Sequence, residues 1–93
     1  MLDLGTLGGA FSEALDVNNR GQVVGWSWVL APNGNTSEHA TLWEGNRIVD
    51  LNDVVEETSW SLREATTIDE RGRILVDALH EGVWRVVLLT PVR

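Results

Sequence analysis

Short runs of β-branched and aromatic residues alternate along the chain with clusters of Gly, Asn, Asp and Pro. No segment shows the 3.6-residue apolar period of a helix, whereas such runs bounded by turn residues are typical of strands. The pattern predicts strands over residues 13–17, 22–29, 39–43, 47–51, 61–68, 73–79 and 83–89. We therefore expect an all-β fold built from antiparallel hairpins.

An internal repeat becomes visible when residues 14–24 (ALDVNNRGQVV) are laid on residues 65–75 (ATTIDERGRIL), at an offset of 51. Further anchors are an Asp-Leu pair that recurs at an offset of 47 and a predicted third strand that recurs at an offset of 46. A four-stranded repeat of this length has the size of a β-propeller blade. The pattern predicts one all-β unit over 1–93, with antiparallel meander repeats at 13–51 and 61–89.

The second repeat lacks a fourth strand, and residues 1–4 (MLDL) match the fourth-strand ending 49–51 (VDL) of the first repeat. Chain ends that jointly complete one blade commonly close propellers. We expect residues 1–4 to complete the last blade of a neighbouring copy in a head-to-tail homo-oligomer that closes as a ring. A trimer is favoured over a dimer or tetramer. The alternative is a monomeric small β-sandwich or barrel, with residues 1–4 folded back on 83–89.

Three segments resemble the HAF repeat family of bacterial extracellular proteins, which is named for a His-Ala-Phe motif. They are residues 3–9 (DLGTLGG), 17–25 (VNNRGQVVG) and 39–43 (HATLW), and the second repeat resembles the closing unit of such proteins. Thr41 stands where the motif has Phe, and residues 85–87 (RVV) replace the triplet outright. The resemblance implies an extracellular or cell-envelope location, a propeller-type fold and no established activity.

Composition narrows the classes of partner. The 7 basic residues are scattered among 14 acidic ones, for a net charge of −7, which argues against nucleic acid because phosphate binding needs a basic patch. No stretch approaches the roughly 20 apolar residues of a membrane span, and we expect no signal peptide in this chain. With 93 residues and no cysteine, the core is small and unsupported by disulfides, so self-association is the expected reinforcement.

Residues 16–21 (DVNNRG) could begin a calcium loop, but a full site needs more oxygen ligands than the following residues supply. We instead expect a turn in which the Asn18 side chain binds backbone amides while Gly21 adopts a positive φ, with Asp69 and Gly72 as counterparts. The two histidines, His39 and His80, occupy non-equivalent positions. We predict no metal site and a structural hydrogen bond for His39.

Five tryptophans are many for 93 residues. Trp26 and Trp28 lie two apart on one predicted strand, so both project from the same face, where indole rings could stack on sugars. Together with Asn33 and Asn35 of the following loop, they are the candidate ligand-binding residues, and a glycan is the candidate ligand. The other three tryptophans are expected to pack between sheets: Trp43, Trp60 and Trp84.

No catalytic set emerges, because the serines lack an elbow motif and no Gly-rich loop opens a helix. We therefore expect no cofactor and a non-enzymatic structural or binding repeat module that self-assembles into a propeller-like ring and binds carbohydrate or protein. The alternative is a hydrolase or lyase whose site forms at the centre of the assembled ring. The residues expected in the core are Val17, Val24, Ile68 and Ile74.

Overall fold

The computed structural model describes residues 4–55 and 59–91, which form two antiparallel β-sheets. The first sheet contains β1 (Ser12–Val17), β2 (Val23–Leu30), β3 (Thr36–Glu44) and β4 (Arg47–Asp50), in that order. The second contains β5 (Trp60–Ile68), β6 (Ile74–His80) and β7 (Val83–Leu89), and a short 3₁₀ helix over Leu51–Val54 leads from one sheet towards the other. The all-β prediction is confirmed, with four strands and three; residues 1–3 of the predicted N-terminal strand lie outside the described residues.

The two sheets share one pairing register. Ala14 pairs with Gly25 in the first sheet, and Ala65 pairs with Val76 in the second, 51 residues later in both strands. One extra residue bulges from the first strand directly after each alanine. The next strand pair also matches, because Val24 opposite Leu42 corresponds to Leu75 opposite Leu88. The sequence repeat is therefore also a repeat of strand pairing.

The hairpin turns after β1 and β5 are the same structure. Asn18 Oδ1 accepts the backbone N–H of the residues two and four positions later, at 3.0 and 3.1 Å. Asp69 Oδ1 does the same at 3.0 and 2.9 Å. Gly21 and Gly72 have φ of 77° and 81°, where a side chain would be strained. The predicted turn is confirmed in both repeats.

The core lies between one face of each sheet. Its buried members include Val24 and Ala40 from the first sheet, and Leu62, Ala65 and Val76 from the second. Burial of these side chains is the main force that holds the sheets together. The structure confirms a core position for three of the residues expected there: Val24, Ile68 and Ile74.

The prediction was wrong for Val17, whose side chain is 59% exposed although its repeat counterpart Ile68 is only 5% exposed. Val17 lies directly opposite Val23, so it occupies the face of the first sheet that does not carry Val24. That face points away from the second sheet. Equivalent positions therefore differ in burial because only one of them has a sheet beside it.

The two sheets stack front to back, which means that their buried faces are not repeat equivalents of each other. The first sheet buries the face of Val24, whereas the second buries the face of Ile74, which is the counterpart of Val23. We call the two surfaces left over the outward faces. The outward face of the first sheet carries Val17, Val23 and His39, and that of the second carries Leu75, Val86 and Leu88.

The equivalent turns also touch each other across the stack. The backbone N–H of Asn19 donates to both carboxylate oxygens of Glu70, at 2.7 and 2.9 Å, and Asn18 Nδ2 donates to the Asp69 carbonyl at 3.0 Å. Beside them, the Ile68 N–H donates to the carboxylate of Asp16 at 2.9 Å. These bonds hold the equivalent turns of the two sheets against each other.

The segment that precedes β1 crosses the outward face of the first sheet. Trp43 Nε1 donates to the Gly5 carbonyl at 3.3 Å, and the Leu7 N–H donates to Ser27 Oγ at 2.8 Å. Trp43 is buried beneath this segment. Among the described residues, no helix is long and apolar enough to cross a membrane.

Candidate functional site

The candidate sugar-binding tryptophans lie on β2 with an acidic residue opposite each ring. Trp26 pairs with Glu13 of β1, whose carboxylate accepts its indole N–H at 3.3 Å, and Trp28 pairs with Glu38 of β3. Phe11 meets the Trp28 ring edge-on, with ring centroids 4.8 Å apart. Both indoles lie on the face of the first sheet that carries Val24, beside the second sheet, and both are only partly buried. An aromatic pair flanked by carboxylates is the composition of a surface that stacks on a sugar and accepts hydrogen bonds from its hydroxyls.

The candidate loop residues do not lie against this pair. Asn33 and Asn35 stand at the tip of the β2–β3 hairpin, beyond the pairing of Leu30 with Thr36. There the Asn33 side chain accepts the Asn35 N–H at 3.0 Å. The two asparagines are exposed and shape the loop, so the structure groups the four candidates as one aromatic pair and one separate loop tip.

The three tryptophans that were predicted to pack between the sheets differ in burial. Trp43 is buried, but beneath the segment before β1 rather than between the sheets, whereas Trp60 stacks on His80 with ring centroids 4.1 Å apart while packing against the core. Trp84 is 60% exposed, so its packing role is not fulfilled within the chain. Its ring shares the outward face of the second sheet with Leu79, its direct cross-strand neighbour.

Two oxygen atoms of the calcium-loop alternative accept backbone hydrogen bonds. The carboxylate of Asp16 accepts the Ile68 N–H, and Asn18 Oδ1 accepts two backbone amides of its own turn. Within residues 4–55 and 59–91, no group of three or more acidic or histidine side chains could hold a metal ion.

A chain of three polar side chains spans β3 and β4 on the outward face of the first sheet. Ser37 Oγ lies 3.1 Å from His39 Nε2, and His39 Nδ1 lies 2.6 Å from Asp50 Oδ2. The other carboxylate oxygen of Asp50 accepts the Asn52 N–H at 2.9 Å, which fixes the acid in place. The predicted structural hydrogen bond of His39 is confirmed.

Hydroxyl, imidazole and carboxylate stand here in the order used by nucleophilic hydrolases. Sequence reasoning missed the set because the third strand was predicted to begin at His39, which left Ser37 in a loop. The spacing Ser-x-His was the available signal, since residues two apart on a strand share a face. The set also links two strands, which is a purely structural use of the same bonds.

A pair of carboxyl groups meets where the sheets adjoin. Burial raises the pKa of Glu38 from 4.5 to about 7, and its hydrogen bond to Glu64 and the negative charge there act in the same direction. Arg63 opposes the shift through its positive charge. Part of the Glu38 population is therefore protonated near neutral pH.

An apolar cleft of about 500 Å³ opens between β4 with its following 3₁₀ helix and the end of β7. It is lined mainly by aliphatic side chains, among them Leu42, Val49, Leu51, Ile74 and Leu89. Among the described residues, β7 is the last strand of the second sheet, whereas the first sheet continues to a fourth strand.

No family model matches the chain, and no curated protein or solved structure is significantly similar to it. The resemblance to HAF repeats therefore rests on the motifs, and function has to be argued from the geometry.

Proposed function

We propose that this protein is a non-enzymatic structural or binding module whose copies join by strand exchange into a closed propeller-like ring, with a trimer favoured. Residues 1–4 of one copy add to β7 of the next as a fourth strand. One observation carries the proposal: within residues 4–55 and 59–91 the first sheet has a fourth strand, while the second ends at β7 beside an open apolar cleft. An exposed strand edge with an adjoining groove is the usual acceptor for β-strand addition.

The internal repeat supplies a register for the added strand. In the first sheet, Asp50 lies opposite Thr41 and Ile48 opposite Trp43. Applying the repeat offsets places Asp3 opposite Val87 and Met1 opposite Leu89. Met1 would then point to the face of β7 that lines the cleft, which gives the cleft an apolar occupant.

The same register creates an ion pair. Asp50 contacts His39, and the repeat counterpart of His39 on β7 is Arg85. Arg85 is exposed and makes no ion pair within the described part of the chain. In the proposed assembly Asp3 takes the place of Asp50, and its carboxylate forms an ion pair with Arg85.

The absolute mass in solution, measured by light scattering on a sizing column, tests the strand exchange. We expect a closed oligomer of the 10.3 kDa chain, and a monomer when residues 1–3 are removed. Arg85→Asp should weaken the oligomer, and adding Asp3→Arg to it should restore the mass because the pair is reversed. A monomeric intact chain, or an oligomer indifferent to residues 1–3, refutes strand exchange.

Binding at the tryptophan pair is the activity we propose for the assembled module, with carbohydrate as the first ligand class to test. A glycan array supports it if a bound sugar is lost with Trp28→Ala and retained with Val83→Ala, a control at an exposed apolar residue away from the tryptophan pair. An array without any bound glycan removes carbohydrate and leaves a protein ligand. The extracellular or envelope location remains an expectation from the family resemblance.

Ser37, His39 and Asp50 specifically favour a hydrolase as the rival function, with a site inside one chain rather than at the centre of an assembled ring. His39 would accept the Ser37 proton as the hydroxyl oxygen bonds to an ester carbonyl carbon, and Asp50 would stabilise the resulting imidazolium. The imidazolium would give that proton to the departing alcohol as the ester C–O bond breaks, and water would then hydrolyse the acyl-serine by the same route. Hydrolysis of p-nitrophenyl acetate and labelling by a fluorophosphonate test this chemistry. Loss of both with Ser37→Ala, and retention with Ser59→Ala, would establish the enzyme; no labelling of the wild type refutes it.

A further inference from the structure

We infer that the two outward faces are halves of one interface, so that the second sheet of one copy stacks on the first sheet of the next. This inference rests on the proposed self-assembly and names its main contact surface, which is separate from the exchanged strand. The partner is a second copy of this chain, in the same front-to-back orientation as the two sheets within one chain.

The outward face of the second sheet is an unusually apolar surface for a protein exterior. Trp84, Val86 and Leu88 alternate along β7 and are 60%, 68% and 54% exposed. Leu75 and Leu79 lie directly opposite Leu88 and Trp84 on β6, so five apolar side chains adjoin around the half-buried Asp77, which lies opposite Val86. A contiguous patch of this kind marks a protein contact rather than a solvated face.

The repeat identifies what this patch is built to contact. Ala40 is fully buried in the internal interface, whereas its counterpart Val86 is 68% exposed. Val24 is likewise buried, and its counterpart Leu75 is exposed. The outward face of the second sheet therefore corresponds to the surface that the first sheet already uses against its neighbour.

The opposite end of the stack shows the converse. Ile68 is buried in the internal interface, and its counterpart Val17, on the outward face of the first sheet, is exposed. Each half of the internal contact thus has one exposed counterpart, at opposite ends of the chain; on the first sheet the segment before β1 covers Trp43 but leaves Val17 exposed. Contacts of this heterologous kind continue from copy to copy and close as rings when the rotation permits.

The segment before β1 supports the same arrangement. Within the chain, Leu51 of the 3₁₀ helix is buried between the two sheets. Its counterpart in the Asp-Leu repeat is Leu4, and the residues after Leu4 already lie across the outward face of the first sheet. A second copy stacked there would enclose this segment as the first and second sheets enclose Leu51.

Polar contacts at the new interface would be fewer than inside the chain. Asp16, which accepts the Ile68 N–H in the internal contact, is replaced at the repeat position by Thr67, which has no carboxylate. Asn18, which donates to the Asp69 carbonyl, is replaced by Asp69 itself, which has no amide donor. The contact between copies should therefore dissociate on dilution before the two sheets of one chain separate.

The experiment uses full-length chains in which residues 1–4 are intact. Leu88→Glu places a carboxylate in the centre of the proposed contact, and Leu30→Glu is the matched control, since the two leucines are 54% and 55% exposed. Sedimentation over a dilution series should show at least a roughly 100-fold weaker assembly for Leu88→Glu, because an unpaired buried charge is costly, and no change for the control. Val17→Glu should weaken assembly from the other side.

The outcomes separate this inference from the strand exchange. If Leu88→Glu and Val17→Glu both assemble like the wild type while removal of residues 1–3 gives a monomer, strand exchange stands and the stacked faces are refuted. If Leu88→Glu weakens assembly and Val17→Glu does not, the patch pairs with itself, and the front-to-back contact is wrong. A monomeric wild type overturns both. Circular dichroism of each variant monitors the fold, and a variant with lost strand signal is replaced by Val86→Lys or Val23→Lys.

Discussion

The substitution Glu38→Gln is expected to stabilise the protein at pH 8 and to leave its stability nearly unchanged at pH 4. Burial and the neighbouring Glu64 raise the pKa of the Glu38 carboxyl in the folded protein to about 7, against 4.5 in the unfolded chain. Between these two values the folded state holds a proton that the unfolded state has released. The free energy of unfolding of the wild type therefore falls as the pH rises from about 4.5 to 7, and the full penalty is present above pH 7.

The magnitude follows from the same shift. One pKa unit corresponds to about 1.4 kcal/mol, so the whole shift would give an upper bound of about 3.4 kcal/mol. Glu38 is only partly buried, and solvent screens its interaction with Glu64. We therefore expect Glu38→Gln to raise the free energy of unfolding by about 1 kcal/mol at pH 8.

Urea unfolding of the wild type and Glu38→Gln at pH 4, 6 and 8 measures the difference directly. Glu81→Gln serves as the control, because Glu81 is an exposed carboxylate in the β6–β7 turn. The control should show the same pH profile as the wild type. A gain at pH 4 as large as that at pH 8, or a loss at pH 8, would refute the reasoning.

Three further substitutions test the core and the turns. Leu62→Ala, at a position that is 1% exposed, should lower the free energy of unfolding by about 3 kcal/mol in urea titrations, and a loss below about 1 kcal/mol would contradict the assigned core. Asn18→Ala removes three bonds within its turn and the bond to Asp69, and should cost about 2 kcal/mol in the same assay, whereas Asn33→Ala should cost less. Glu81→Asn should raise the thermal midpoint, corresponding to about 0.5–1 kcal/mol, because Glu81 has a φ of 52° in a two-residue turn that favours Asn-Gly; an unchanged midpoint would contradict this.

The sequence predicts the strands and the repeated turn well because both are set by local chemistry. Period-two alternation and Gly at a positive φ act within a few residues, so Asn18-Gly21 and Asp69-Gly72 could be identified without knowledge of the fold. The start of β3 was missed because residues 36–38 (TSE) are polar throughout and have no alternation to detect. Because no strand was predicted over these residues, Ser37 could not be assigned to the same face as His39.

Burial, in contrast, was decided only by the tertiary structure. Val17 and Ile68 have the same local pattern and the same place in their hairpins, yet one is exposed and the other buried, because only Ile68 faces another sheet. Trp84 is exposed for the same reason, and Glu38 meets Glu64 only because the sheets stack front to back. By itself the sequence determined the strands, the turns and their repetition, since these depend on neighbouring residues. The order in which two similar sheets stack, and hence which faces are left outward, depends on contacts between residues far apart in the chain.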